Sequence, residues 1–473
     1  MHGDWQSVLM FCYIFFFMFI AKMCKEKLGI FKSIVIPTAL FAGFIGMIFG
    51  PNLLGKVSFD LFGQSFKLGL NYDQGFYENV VIHTMAIGFI ALALTDKKTN
   101  KSSKSIESGI FIVLTYLLQG LVGMLMIFLM VNTFWPDLFY GLGLMLPLSF
   151  GQGPGFSATI GKGWIEQTGI SYIISYGLSL STMGFLIGGL VGVILLNYYI
   201  KKHNLKPVKL RELKGVQEKN IEFKTLDEVN FFDNLTVQLT WIAMVYMSAF
   251  IVTYVLVNLI HNNLGDIGQT IGGIVSSLTY LFGVILALIF KRILKSLQHR
   301  GHRTKPLLSS YMMQNISSFA FNIMIAASVM AIRIDMISDF LPALLIVGIV
   351  GAIVTITFVV FLAKKIYPVN TIEYTLILFG MLTGTASTGM ALLRGVDPNL
   401  EKDVEEDVAV LGSAIALPIA LPIIIVLGFP VQAFKNPSYH YYNLIAFGVL
   451  AIYFIVLILF LLWFSKRKNQ KEV

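Results

Sequence analysis

Apolar residues gather along this chain in runs of about 20, the length that crosses the hydrocarbon core of a bilayer, and short polar stretches separate them. The pattern predicts thirteen apolar elements, near residues 6–22, 33–50, 79–95, 109–131, 138–161, 170–200, 236–260, 271–290, 313–332, 340–363, 372–393, 407–428 and 441–465. Residues 201–235 form the one long charged stretch, and they divide the chain into two sets of six elements with one further C-terminal element. Two copies of one architecture, joined by a linker, are expected.

Two elements depart from the pattern. Residues 149–161 carry Gly, Ala, Ser or Thr at eight of thirteen positions, and residues 380–391, GMLTGTASTGMA, at nine of twelve, so neither reads as a lipid-facing helix. Each follows an ordinary apolar stretch and precedes a loop with acidic residues. Gly153 and Gly384 thereby occupy matching places in the two halves.

The chain of 473 residues is 56% hydrophobic and 13% charged, which marks a polytopic membrane protein. A formal charge of +9 in a soluble protein would suggest nucleic acid as a partner. Here the basic residues cluster in short loops, where they set orientation, and no nucleic-acid binding is expected. If all thirteen elements cross, the positive-inside bias is violated. If the fifth and eleventh dip in and return to their side of entry, the 35 Lys and Arg all fall on the cytoplasmic side except Lys56, Lys67, Lys162, Arg333 and Lys435.

The expected fold class is therefore an all-α polytopic membrane protein with eleven spanning helices. Two inverted-topology repeats of five transmembrane helices each carry a re-entrant loop, and one extra C-terminal transmembrane helix follows. The first repeat is expected over residues 1–200 with its loop near 138–161, and the cytoplasmic linker over 201–235. The second repeat is expected over 236–430 with its loop near 372–393, and the extra helix and tail over 431–473. The N-terminus then lies outside and the C-terminus in the cytoplasm. The opening segment lacks a basic stretch and a small-residue cleavage site, so a retained first helix is expected in place of a signal peptide.

Irregular backbone at membrane depth is tolerated only where protein covers it or where it lines a water-filled cavity, so the two loops need a use for their polar groups. Gly151, Gly153, Thr383 and Gly384 are the candidates for binding Na⁺ through exposed backbone and hydroxyl oxygens. Ser157, Thr159, Thr385, Ser387 and Thr388, with Asn322 from a neighbouring span, are the candidates for a small carboxylate, which half-helix amides also suit. The same residue types also suit tight helix contacts.

Other polar positions carry less. His83 and Gln119 read as packing or bridging residues within spans, Arg394 as a cytoplasmic anchor, and the acidic run DPNLEKDVEEDV as the solvated start of the twelfth element. Cys12 and Cys24 fit neither a disulfide nor a metal site, and no cofactor beyond Na⁺ as coupling ion is expected. The phosphate-binding loop, HExxH and GxSxG patterns are missing, so the chain is not expected to be an enzyme.

The segments LPLSFGQGPGFSATIG, IGFIALALTDKK, NIMIAASVMAIRIDMISDFLPALL and LFGMLTGTASTGMALLRG resemble the bacterial glutamate:sodium symporter family over most of the chain to about residue 430. That resemblance implies Na⁺-coupled uptake of L-glutamate or a closely related small carboxylate across a bacterial plasma membrane, a homodimer, and elevator-like alternating access. The chain departs from the family's pattern at Gln152, in LTGTAST and in its thirteenth element. A carrier for a hydroxycarboxylate or another organic anion is the alternative, with a polytopic membrane enzyme behind it.

Overall fold

The computed structural model describes residues 3–27, 36–61, 64–95, 104–205, 228–299, 308–398, 400 and 402–469. Most of the expected linker, 206–227, lies outside the described residues, as do the basic residues Lys32, Lys97, Lys98, Lys101, Arg300, Arg303 and Lys305. The fold is nearly all helical. Its one sheet among the described residues is a two-stranded antiparallel hairpin of β1 (Ser58–Leu61) and β2 (Gln64–Lys67).

The helices are α1 (Gly3–Lys27), α2 (Thr38–Ile48), α3 (Gln74–Leu94), α4 (Ser105–Thr133), α5 (Tyr140–Gly151), α6 (Pro154–Thr168) and α7 (Ile173–Lys202). After the charged stretch follow α8 (Glu228–Ser277), α9 (Thr279–His299), α10 (Ser310–Met330), α11 (Leu341–Ile366), α12 (Thr371–Thr383), α13 (Ala386–Arg394), α14 (Glu406–Lys435) and α15 (Tyr441–Asn469). Local chemistry sets several boundaries. Asp73 caps α3 by accepting from the Gly75 amide at 3.0 Å, and Ser309 caps α10 through the Met312 amide. Gly169, at φ +74°, ends α6 in the left-handed conformation that a helix C-terminus favours.

Among the described residues eight helices are long and apolar enough to cross a membrane, with a ninth if the pair Ile271–Ser277 and Thr279–Leu297, bent by 56°, counts as one span. The sequence predicts eleven. The expected span 33–50 is described as helix only over the 11 residues of α2, and a helix of that length rises about 17 Å, short of the roughly 30 Å hydrocarbon core. The expected span 313–332 is present as α10, but Gln314, Asn315, Ser317, Ser318 and Asn322 keep it below the apolarity of the others.

Side-chain contacts sort the helix ends into two groups. At one end Asn52 bonds Asp335 at 2.9 Å, Arg333 pairs with Glu78 at 3.5 Å, and Lys162 reaches Asn79 at 2.9 Å. Trp164 donates to the Leu427 carbonyl there at 3.2 Å. At the other end Ser105 and Tyr374 both donate to Asp407, Ser108 meets Tyr367, and Lys402 pairs with Glu373. Helix α14 runs from one group to the other, with Asp407 in the second and Leu427 in the first.

Phe139, just before α5, stacks edge-on against Trp164 of α6 with ring centroids 5.4 Å apart. Helices α12 and α13 are followed by Lys402, which pairs with Glu373 in the first turn of α12. Their crossing is so tight that a methyl on Gly380 would lie 2.6 Å from the Gly389 Cα.

The acidic run leading into α14 is exposed at Lys402 and Asp403 but departs from expectation at two carboxylates. Asp407 is buried in place of solvated, because two hydroxyls, Ser105 at 3.0 Å and Tyr374 at 2.5 Å, supply the donors that a buried carboxylate needs. Asp397 is buried as well, and it accepts from the Lys402 amide at 3.1 Å.

Candidate functional site

The first helix break separates α5 from α6. The last turn of α5 is a π-helical stretch over Pro147–Gly151, and Gly153 then takes φ +88°, ψ −179°, a conformation essentially reserved for glycine. Pro154 opens α6 at a position where its missing amide hydrogen is no loss. No side chain caps this helix, so the amides of its first turn face the break without a side-chain acceptor.

The second break, at Gly384 and Thr385, is built differently. Gly384 lies at φ −139°, so its need for glycine comes from space: a methyl there would sit 3.2 Å from both the Gly380 carbonyl and the Thr388 hydroxyl. Thr385 caps α13, accepting from the Thr388 amide at 3.4 Å, and its hydroxyl lies 2.7 Å from that of Ser387.

Helix α4 joins the breaks with two side chains one turn apart. Tyr116 donates to the Gly151 carbonyl at 3.2 Å, and Gln119 Nε2 donates to the Leu382 carbonyl at 2.9 Å and to Thr355 Oγ1 at 3.0 Å. Opposite them α7 brings Gly184, where a methyl would lie 2.4 Å from the Thr383 carbonyl and 3.0 Å from the Phe150 ring. Both breaks therefore press on the same glycine.

The residues singled out from sequence fall into three groups. Gly151, Gly153, Thr383 and Gly384 stand at the breaks themselves. Ser157, Thr159 and Thr388 are buried close behind them, and Thr383 is buried too. Ser157 donates to the Pro154 carbonyl at 3.0 Å, Thr159 to Gly155 at 2.8 Å and Thr383 to Phe379 at 2.7 Å. A hydroxyl whose hydrogen is spent on a carbonyl keeps its lone pairs for a cation or a donor. Thr385 is half-buried and Ser387 is exposed.

Asn322 does not join them. It is exposed on α10, and among the described residues it makes no hydrogen bond to either break. Tyr116 was given no role by the sequence, and Gln119 was read as a structural amide. The signal available for both was a polar pair three residues apart in an otherwise apolar span. His83 bonds the Tyr246 hydroxyl at 2.7 Å, a partner that accounts for it as a packing residue.

The arrangement offers carbonyls, hydroxyls and amides, and none of the described residues named at the breaks is a carboxylate, chemistry suited to a monovalent cation and an anion held by neutral groups. No family model, no curated protein and no solved structure matches this chain.

Proposed function

We propose that this protein is a sodium-coupled secondary transporter that imports L-glutamate or a closely related small carboxylate. The observation that carries the reading is the meeting of two helix breaks on Tyr116, Gln119 and Gly184. In this reading α5–α6 and α12–α13 are re-entrant hairpins, and the halves before and after the charged stretch are inverted repeats. Broken helices meeting near the midplane are how many secondary transporters hold ion and substrate together.

Sodium is assigned to the carbonyl and hydroxyl oxygens around Gly151, Gly153, Thr383 and Gly384. The carboxylate is assigned to the uncapped amides of α6 and to Ser157, Thr159, Thr385, Ser387 and Thr388, with Asn322 a contact made only if α10 shifts. Ion and substrate would together favour a closed junction, and that differential affinity is what couples their movement. A homodimer in the bacterial plasma membrane, moving its hairpins elevator-fashion, completes the proposal.

The test is uptake of radiolabelled glutamate into proteoliposomes under an imposed Na⁺ gradient, competed by aspartate, citrate and other carboxylates. Uptake that ran equally well on a proton gradient without Na⁺ would overturn the coupling. Preferential competition by citrate would move the substrate to the hydroxycarboxylates. Orientation is checked separately. In a background lacking Cys12 and Cys24, Lys162→Cys is expected to react with an impermeant thiol reagent from outside whole cells, and Arg394→Cys only after the cytoplasmic face is opened.

A further inference from the structure

Gln119 holds one amide across the junction, and only half of that amide is satisfied. Its orientation is fixed by its neighbours. The atom 2.9 Å from the Leu382 carbonyl must be the nitrogen, because that carbonyl can only accept. Oxygen Oε1 then points the other way, toward the first break, where a methyl on Gly151 would lie 3.2 Å from it. The side chain is 1% exposed, and Oε1 has no hydrogen-bond partner. A buried carbonyl oxygen with no donor is costly unless something positive is meant to meet it.

At the first break the Gly151 carbonyl accepts from the Tyr116 hydroxyl at 3.2 Å, and Thr355 Oγ1 accepts from the Gln119 nitrogen at 3.0 Å. These oxygens are all neutral. Among the described residues no group of His, Cys, Asp and Glu able to hold a metal exists, which argues against a divalent ion that would require carboxylates. The chemistry fits a dehydrated monovalent cation bound weakly enough to leave.

We propose that Gln119 Oε1 is a cation ligand, and that its amide transmits occupancy of the first break to the second. A cation on the oxygen draws density from the nitrogen and strengthens the N–H bond to Leu382, since linked hydrogen bonds polarise one another. The first hairpin would thus tighten the hold on the second only when the ion is present. This inference rests on the Na⁺-coupled reading and names the residue through which the coupling runs.

The test uses the full-length protein in detergent without substrate, comparing NaCl with choline chloride at equal ionic strength. Sodium is expected to raise the melting midpoint of the wild type. Gln119→Met should weaken the apparent Na⁺ affinity at least tenfold, whereas Gln119→Glu, which keeps an oxygen ligand but puts an acceptor against the Leu382 carbonyl, should retain a saturable Na⁺ response on a midpoint lowered in both salts. For Gln119→Met a purely structural amide predicts a lower midpoint in both salts and an unchanged Na⁺ half-saturation, which would overturn the proposal.

Should neither variant fold, hydrogen exchange on the wild type decides. Sodium is expected to slow exchange in 147–158 and 380–388 together, and protection of neither segment, or of one alone, sinks the idea. Na⁺-driven uptake without such protection removes this inference and leaves the transport reading. Joint protection without uptake does the reverse.

Discussion

Gly153→Ala is expected to lower Na⁺-driven uptake by about ten- to a hundredfold while the protein remains folded and monodisperse. The reason is conformational alone. A methyl at Gly153 would meet nothing within 4 Å, so no clash contributes. At φ +88°, ψ −179°, however, any other residue is held in a sparsely populated region at a cost of about 1–3 kcal/mol. A cost of that size leaves a helical protein folded, but it is relieved if the turn rotates to negative φ. Rotation would re-aim the Gly151 carbonyl and the first amides of α6, the groups assigned to ion and substrate. Gly153→Val, β-branched at the same φ, should abolish uptake. Normal transport by both variants would mean that the break only packs.

Both breaks were legible in the sequence because their cause is local. Gly151, Gly153, Pro154, Gly384 and Thr385 are residues that end or start helices wherever they stand, and they fall inside the elements predicted at 138–161 and 372–393. The far end of the first element was less legible. Helix α6 continues to Thr168, past the polar stretch KGW that reads as a loop. Lys162 finds Asn79 and Trp164 buries its ring, two contacts that no local pattern encodes.

What joins the breaks was not legible for the same reason. Gln119 finds its partners at Thr355 and Leu382, 236 and 263 residues away in the chain. Asp407 owes its burial to Ser105, 302 residues earlier, where its own neighbours suggested solvent. Orientation was a different kind of signal. The distribution of basic residues required two elements to return to their side of entry, a signal read from charge along the whole chain and independent of any contact within it. An amide or carboxylate in a span signals that a partner exists, but its address is written only in the fold.

Gly184→Val is expected to be the most damaging single change in the junction, lowering both the yield of folded protein and the activity of what folds. Its added Cβ would lie 2.4 Å from the Thr383 carbonyl, a backbone atom that cannot rotate aside, and 3.0 Å from the Phe150 ring beside the other break. The wedge therefore pushes the two breaks apart, and overpacking of this kind costs typically about 1–3 kcal/mol, with more where backbone must move. Separation would stretch the hydrogen bond from Gln119 to Leu382 and unload α4 from α12. Gly448→Ala on α15 supplies the comparison, since a methyl there meets nothing within 4 Å and a glycine-to-alanine change in a helix is neutral or stabilising by about 0.5–1 kcal/mol. Melting curves and uptake measured side by side separate the outcomes. A Gly184 variant as stable and active as the Gly448 variant would mean that the breaks do not need this close approach, and the shared site built on it would fail.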